Sequence, residues 1–162
     1  MQFVPLTLRH SPQHRPGVGG TGRHPLFWAA LGLAVWCCAP VRAADSPASQ
    51  LAHWTTQART AEAGFTPSAA RGQALFVQSF ATTPGLASCS ACHTNDPTAE
   101  GRHAVTGKRI APLSPRANAE RFADAAKSEK WFRRNCKEVM GSECSPAQKA
   151  DVLSYLMKGS NP

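Results

Sequence analysis

The chain has 162 residues, one domain's worth once a leader is removed, with 18 basic against 10 acidic side chains and a formal charge of +8. All 10 acidic residues but only 14 of the basic ones follow position 43, so much of the excess belongs to the first 43 residues. The remaining cations form no cluster interleaved with aromatics, which argues against a nucleic-acid surface; a modestly positive face suits docking to an acidic protein instead.

From Met1 to about Arg23 the chain is rich in Arg, His, Pro and Gly, and an apolar run follows from Leu26 to Ala39. Then come Val41, Arg42, Ala43 and Ala44. A basic lead, a short apolar core and small residues at the end describe a secretory signal peptide over residues 1–43, cleaved after Ala43. The run is too short for a bilayer span, so the mature form is expected to carry none. Cys37 and Cys38 leave with the leader. Export to the periplasm makes disulfides permissible, and four cysteines remain: Cys89, Cys92, Cys136 and Cys144.

Residues 44–65 read as an N-terminal helical extension and residues 66–159 as the main domain. Ser46-Pro47 is a cap followed by proline at the first helical position, and Leu51, Trp54 and Ala58 recur at helical spacing up to Gly64. Thr66-Pro67 repeats that start signal for a second helix through Phe80, with Leu75, Phe76 and Phe80 on its apolar face. A Gly/Pro/Thr-rich turn, Thr82 to Leu86, leads to Cys89-Ser-Ala-Cys92-His93. Residues 95–115 are polar and punctuated by Gly and Pro, a long loop of the functional kind. Asp124 caps a helix running to Asn135, in which Trp131 and Phe132 are expected to be buried and Glu129 to pair with Arg133. After the segment between Cys136 and Cys144, Ser145-Pro146 starts a last helix bearing Val152, Leu153, Tyr155 and Leu156, ended by Gly159. No strand or repeat is evident, so the fold class is all-α with little or no sheet.

Cys89-Ser-Ala-Cys92-His93 carries the chemistry. Its cysteines stand about one helical turn apart, so both thiols can add to the two vinyl groups along one edge of a porphyrin. His93 then offers its imidazole to the iron. This is the attachment signature of one covalent haem c. A thioredoxin-like reading needs a βαβ context that is missing. A zinc site recruiting Cys136 and Cys144 would need a closer second pair.

Further residues then resemble class I cytochromes c. Gly72-Gln-Ala-Leu-Phe76 looks like the family's first helix, and Asp151-Val-Leu-Ser-Tyr155-Leu like its last, crossing near the glycine. Pro112, in Ile110-Ala-Pro-Leu, matches the loop proline whose carbonyl the family directs at the proximal histidine, a contact that fixes the imidazole tautomer. Thr106 to Pro115, Arg121-Phe122 and Trp131-Phe-Arg-Arg-Asn135-Cys136 through Cys144-Ser-Pro resemble the sphaeroides haem protein family more closely, from about Gly72 to Leu156. That resemblance implies Asn135 as a distal iron ligand that leaves on reduction, and a disulfide between Cys136 and Cys144.

Met140 is the alternative ligand, since ordinary class I proteins use a methionine before the last helix. A methionine favours Fe(II) and suits pure electron transfer. An amide oxygen is a harder, weaker donor, better matched to Fe(III). Trp131 and Phe132 would wall the distal pocket. Lys108, Arg109 and Arg133 are candidates to neutralise haem propionates, while His53 and His103 read as polar surface residues. The expected protein is an electron-transfer cytochrome c that binds O2, NO or CO when reduced and exchanges electrons with another cytochrome. No residue is assigned a catalytic role, and the reading leans away from an enzyme.

Overall fold

The computed structural model describes residues 45–159; the expected signal peptide, with Cys37 and Cys38, lies outside the described residues. In chain order the elements are α1 (Pro47–Ala61), α2 (Ala69–Val77), α3 (Ser90–His93), β1 (Gly101–Arg102), β2 (Arg109–Ile110), α4 (Ala125–Met140) and α5 (Pro146–Lys158). Two strands of two residues each, paired antiparallel with Gly101 opposite Ile110, are the only sheet among the described residues. The expected all-α class stands.

Helix α5 is the one the others pack on. Ser145 and Gln148 form a reciprocal capping box and Pro146 occupies the first turn, so the helix start is fixed locally. One side of α5 buries Ala150 and Leu153 against Trp54 and Ala58 of α1 and against Phe65. Another buries Val152, Tyr155 and Leu156 against Phe76 of α2. The larger aliphatic and phenyl side chains among them each contribute roughly 1.5–3 kcal/mol on leaving water. The segment read as an extension thus shares its core with the last helix.

At the crossing of α2 and α5, a Cβ on Gly72 would run into the backbone carbonyl of Asp151. Only glycine lets the two backbones meet there. The Asp151 carboxylate then ties both helices: Oδ1 accepts from Ser68 N at 2.7 Å and Arg71 Nη2 at 2.9 Å, and Oδ2 from Arg71 Nε at 2.8 Å. Tyr155 stacks at a tilt on Phe76, 5.5 Å between centroids, and its hydroxyl donates to Asn95 O at 2.9 Å.

The boundaries of α2 and α4 differ from expectation. Helix α2 is capped by Ser68, whose hydroxyl accepts from Arg71 N, rather than opened at Thr66-Pro67. It stops at Val77, before Phe80, because Gln78 turns to an extended conformation and Phe80 N bonds Ala87 O across the turn. Helix α4 keeps its Asp124 cap but runs five residues past Asn135, to Met140. No glycine or proline interrupts it before Gly141, which takes the left-handed conformation at φ 76° and ends it. Met140 is therefore a helical residue, where the sequence suggests a loop.

Candidate functional site

The Cys-x-x-Cys-His segment forms a single helical turn. Ser88 Oγ accepts from Ala91 N at 3.1 Å, and the N–H groups of Cys92 and His93 both reach Cys89 O. Cys89, Cys92 and His93 consequently share one side of the turn, at i, i+3 and i+4. Thr94 breaks it at φ 61°, ψ 172°, a region nearly confined to glycine that costs on the order of 1–3 kcal/mol. Its hydroxyl donates to Asp96 O and accepts from Asp96 N, holding the reversal that follows His93. Below the turn, a Cβ on Gly101 would strike the Cys92 carbonyl, so the small hairpin passes directly beneath the motif. Beyond it, Ala104 N donates to Cys92 Sγ.

His93 is half-buried, with its ring 6.3 Å from that of Phe76. Burial, and then the positive charges of Arg121 and His103, push its pKa down to about 4. The imidazole is thus neutral at physiological pH, with a lone pair to give. Burial pushes the Cys89 thiol up to about 11. The Pro112 carbonyl, which the family resemblance directs at His93, accepts from Arg121 Nε at 2.8 Å, while Ala111 O takes Arg121 Nη2 at 2.6 Å. Sequence reasoning gave Arg121 no role in the site, although Arg121-Phe122 is among the segments that carry the family resemblance. Phe122, at φ 61°, turns the chain just after Arg121. Its carbonyl accepts from the Gln50 side chain of α1 and its ring packs on Phe132.

Helix α4 brings the proposed distal residues. Ser128, Phe132, Asn135 and Val139 follow one another along its inner face at i, i+4, i+7 and i+11, with Asn135 half-buried. Phe132 stands edge-on to Trp54, 4.9 Å between centroids, and is not available as free pocket wall on that side. Trp131, expected to be buried, is 44% exposed, because successive helical residues point about 100° apart and its neighbour Phe132 takes the core. Arg134 stacks on the Trp131 ring. Glu129 pairs with Lys149 Nζ of α5 at 2.6 Å rather than with Arg133. Arg109, a candidate for the propionates, is engaged bidentately by Glu100. His103 Nδ1 accepts from Val105 N and Thr106 N, and His53 is exposed. Cys136 and Cys144 are joined in a disulfide, whereas Cys89 and Cys92 are free thiols.

Sequence reasoning also missed what α1 does for α4. Asp45 Oδ2 accepts from Ala125 N at the first turn of α4, Gln50 reaches Phe122, and Trp54 supports Phe132. Nothing in the local sequence announces those partners, which lie more than 70 positions away.

The donor set fits a haem. Two free thiols and a neutral imidazole share one helical turn, and α4 carries an amide and a thioether without the close backbone approach that joins α2 or α1 to α5. Cys89, Cys92 and His93 would hold the group from one side. Helices crossing at a glycine around one Cys-x-x-Cys-His turn define a c-type cytochrome of the class I kind, and haem c is its cofactor.

Comparison with known proteins then gives the family. The family described as “Domain of unknown function (DUF1924)” matches residues 62–156. The cytochrome c-type protein SHP of Cereibacter sphaeroides is 42% identical over 126 residues, 76% of this chain and 93% of that protein. A solved structure of oxidized SHP, described as an oxygen binding cytochrome c, superposes with a TM-score of 0.63 at 42% identity, over 70% of this chain and 97% of that one. The solution structure of cytochrome c'' from Methylophilus methylotrophus gives a TM-score of 0.63 at 37% identity, over 72% and 95%. The chain belongs to the DUF1924 family and is a relative of the SHP and cytochrome c'' haem proteins.

Proposed function

We propose that this chain is an exported, monohaem cytochrome c whose reduced form binds a diatomic ligand at the position Asn135 leaves. The haem supplies a redox-active iron. Cys89 and Cys92 anchor it covalently, and His93, kept neutral by its surroundings, is the proximal donor. The single Cys-x-x-Cys-His segment of the sequence supports one haem.

The observation that carries the reading is the length of α4. Because the helix continues to Met140, Asn135 and Met140 lie five residues apart on one helix, about 140° around its axis. Asn135 shares the inner face with Phe132 and Val139, while Met140 lies on the side of the disulfide. An amide oxygen binds Fe(II) weakly, so adding an electron loosens this bond. Two properties of relatives agree: SHP is described as oxygen binding, and the cytochrome c'' structure was analysed for haem-ligand detachment. Export, a periplasmic location and an electron-donating partner such as another cytochrome complete the proposal, and among the described residues no helix is long and apolar enough to cross a membrane.

The test is the reduced absorption spectrum with and without carbon monoxide, for the native protein, Asn135→Ala and Met140→Leu. The native ferrous protein is expected to be high-spin and to bind carbon monoxide, and Asn135→Ala alone is expected to alter the ferric spectrum. A ferric change confined to Met140→Leu would make the protein a plain electron shuttle.

A further inference from the structure

Met140 Sδ lies 3.7 Å from Cys144 Sγ of the Cys136–Cys144 disulfide. Cys136 and Met140 are one turn apart on the same side of α4. The bond spans eight residues, with Met140 at its midpoint, and both sulfurs belong to buried residues. We infer that this disulfide denies the iron a methionine ligand: it keeps the last turn of α4 wound and holds the Met140 thioether against itself, leaving the distal position to Asn135.

The inference rests on the Asn135 reading and adds to it a reason for the choice between two donors on one helix. Met140 could replace Asn135 only if residues 136–140 unwound, because a rotation of about 140° cannot be made by changing rotamers. The restraints on that turn are few. Gly141 N donates to Lys137 O at 3.1 Å, and Thr83 Oγ1 donates to Glu138 O at 2.7 Å. Lys137 pairs with Glu143 at 2.9 Å, an exposed contact of little weight. The disulfide is the covalent member of the set, and it closes directly after Asn135. Its burial makes it a fixed lock rather than a readily reduced sensor.

Opening the lock needs a dithiol, which delivers two electrons and two protons to the Cys136–Cys144 bond and is itself oxidised to a disulfide. No bond in Met140 breaks. Its sulfur lone pair takes the iron position that the Asn135 oxygen leaves.

The experiment compares the holoprotein with Cys136→Ser/Cys144→Ser and with the same pair plus Met140→Leu. Readouts are the weak near-infrared sulfur-to-iron band of the ferric form, carbon monoxide affinity of the ferrous form, and hydrogen exchange of residues 137–141. In the double variant we expect the sulfur band to appear, exchange in the last turn to rise, and affinity for carbon monoxide to fall roughly tenfold or more as Met140 competes for the site. Adding Met140→Leu should abolish the band and restore the affinity. Should the double variant fail to accumulate, dithiol reduction of the native holoprotein, verified by labelling two thiols, gives the same comparison. A sulfur band in the untreated native protein would overturn the Asn135 reading itself. Opened disulfide with no sulfur band, in a native protein that also lacks one, would overturn only this inference.

Discussion

Helices α2 and α5 meet backbone to backbone at Gly72, while α3, which carries His93, and α4, which carries Asn135, make no comparable approach to one another. The crossing is a closed contact: buried apolar side chains, a carboxylate with three hydrogen-bond donors, and a position where a methyl group has no room. Helix α4 is held instead by Trp54, Phe122, Lys149 and Thr83, each reaching it from a different part of the chain. One region is a closed backbone contact, and the other is supported only by side chains from several parts of the chain. The same chain therefore tolerates change very differently in the two places.

The largest expected effect is at the crossing. Gly72→Ala drives a Cβ into the Asp151 carbonyl, so the helices must part; we expect a loss of about 3 kcal/mol or more in chemical denaturation. A near-native midpoint would show that the crossing is looser than described. Asp151→Ala should follow. It strands Ser68 N and the Arg71 guanidinium, costing about 2 kcal/mol, held to that figure because Arg71 itself is 56% exposed. An equal loss in Arg71→Ala would mean that the ion pair, rather than the helix cap, carries the effect. On the outer face of α4, Arg134→Ala removes an i,i+4 pair with Glu138 and a contact over Trp131, both near solvent, and should change stability by under ~0.5 kcal/mol. A larger change there would erase the contrast between the two regions.

Much of this was readable in the residues themselves. Cys89, Cys92 and His93 announce a covalent haem because the chemistry requires both thiols and the imidazole within a single turn. Ser46-Pro47, Asp124 and Ser145-Pro146 start helices where expected, since capping is settled within four residues. The family resemblance, carried by Gly72, Tyr155 and the segment from Trp131 to Cys144, agrees with the relatives found. Less local features were misread. Trp131 and Phe132 are adjacent and both aromatic, and it is Trp54, 78 positions from Phe132, together with Phe122, that receives Phe132. Glu129 has a plausible partner one turn away in Arg133 yet reaches Lys149 across the helix interface. Arg121, given no role from the sequence, donates to the Pro112 carbonyl from nine residues further along the chain.

The sequence by itself determined that this chain is a helical c-type cytochrome and named its cofactor, because thiol spacing, helix caps and a glycine at a crossing act over a few residues. The tertiary structure decided which aromatic supports α4, which lysine Glu129 meets, and that Met140 rests against a disulfide on a different face from Asn135. Those outcomes depend on contacts between residues far apart in the chain, and on a helical phase that one residue more or less in α4 would rotate by about 100°.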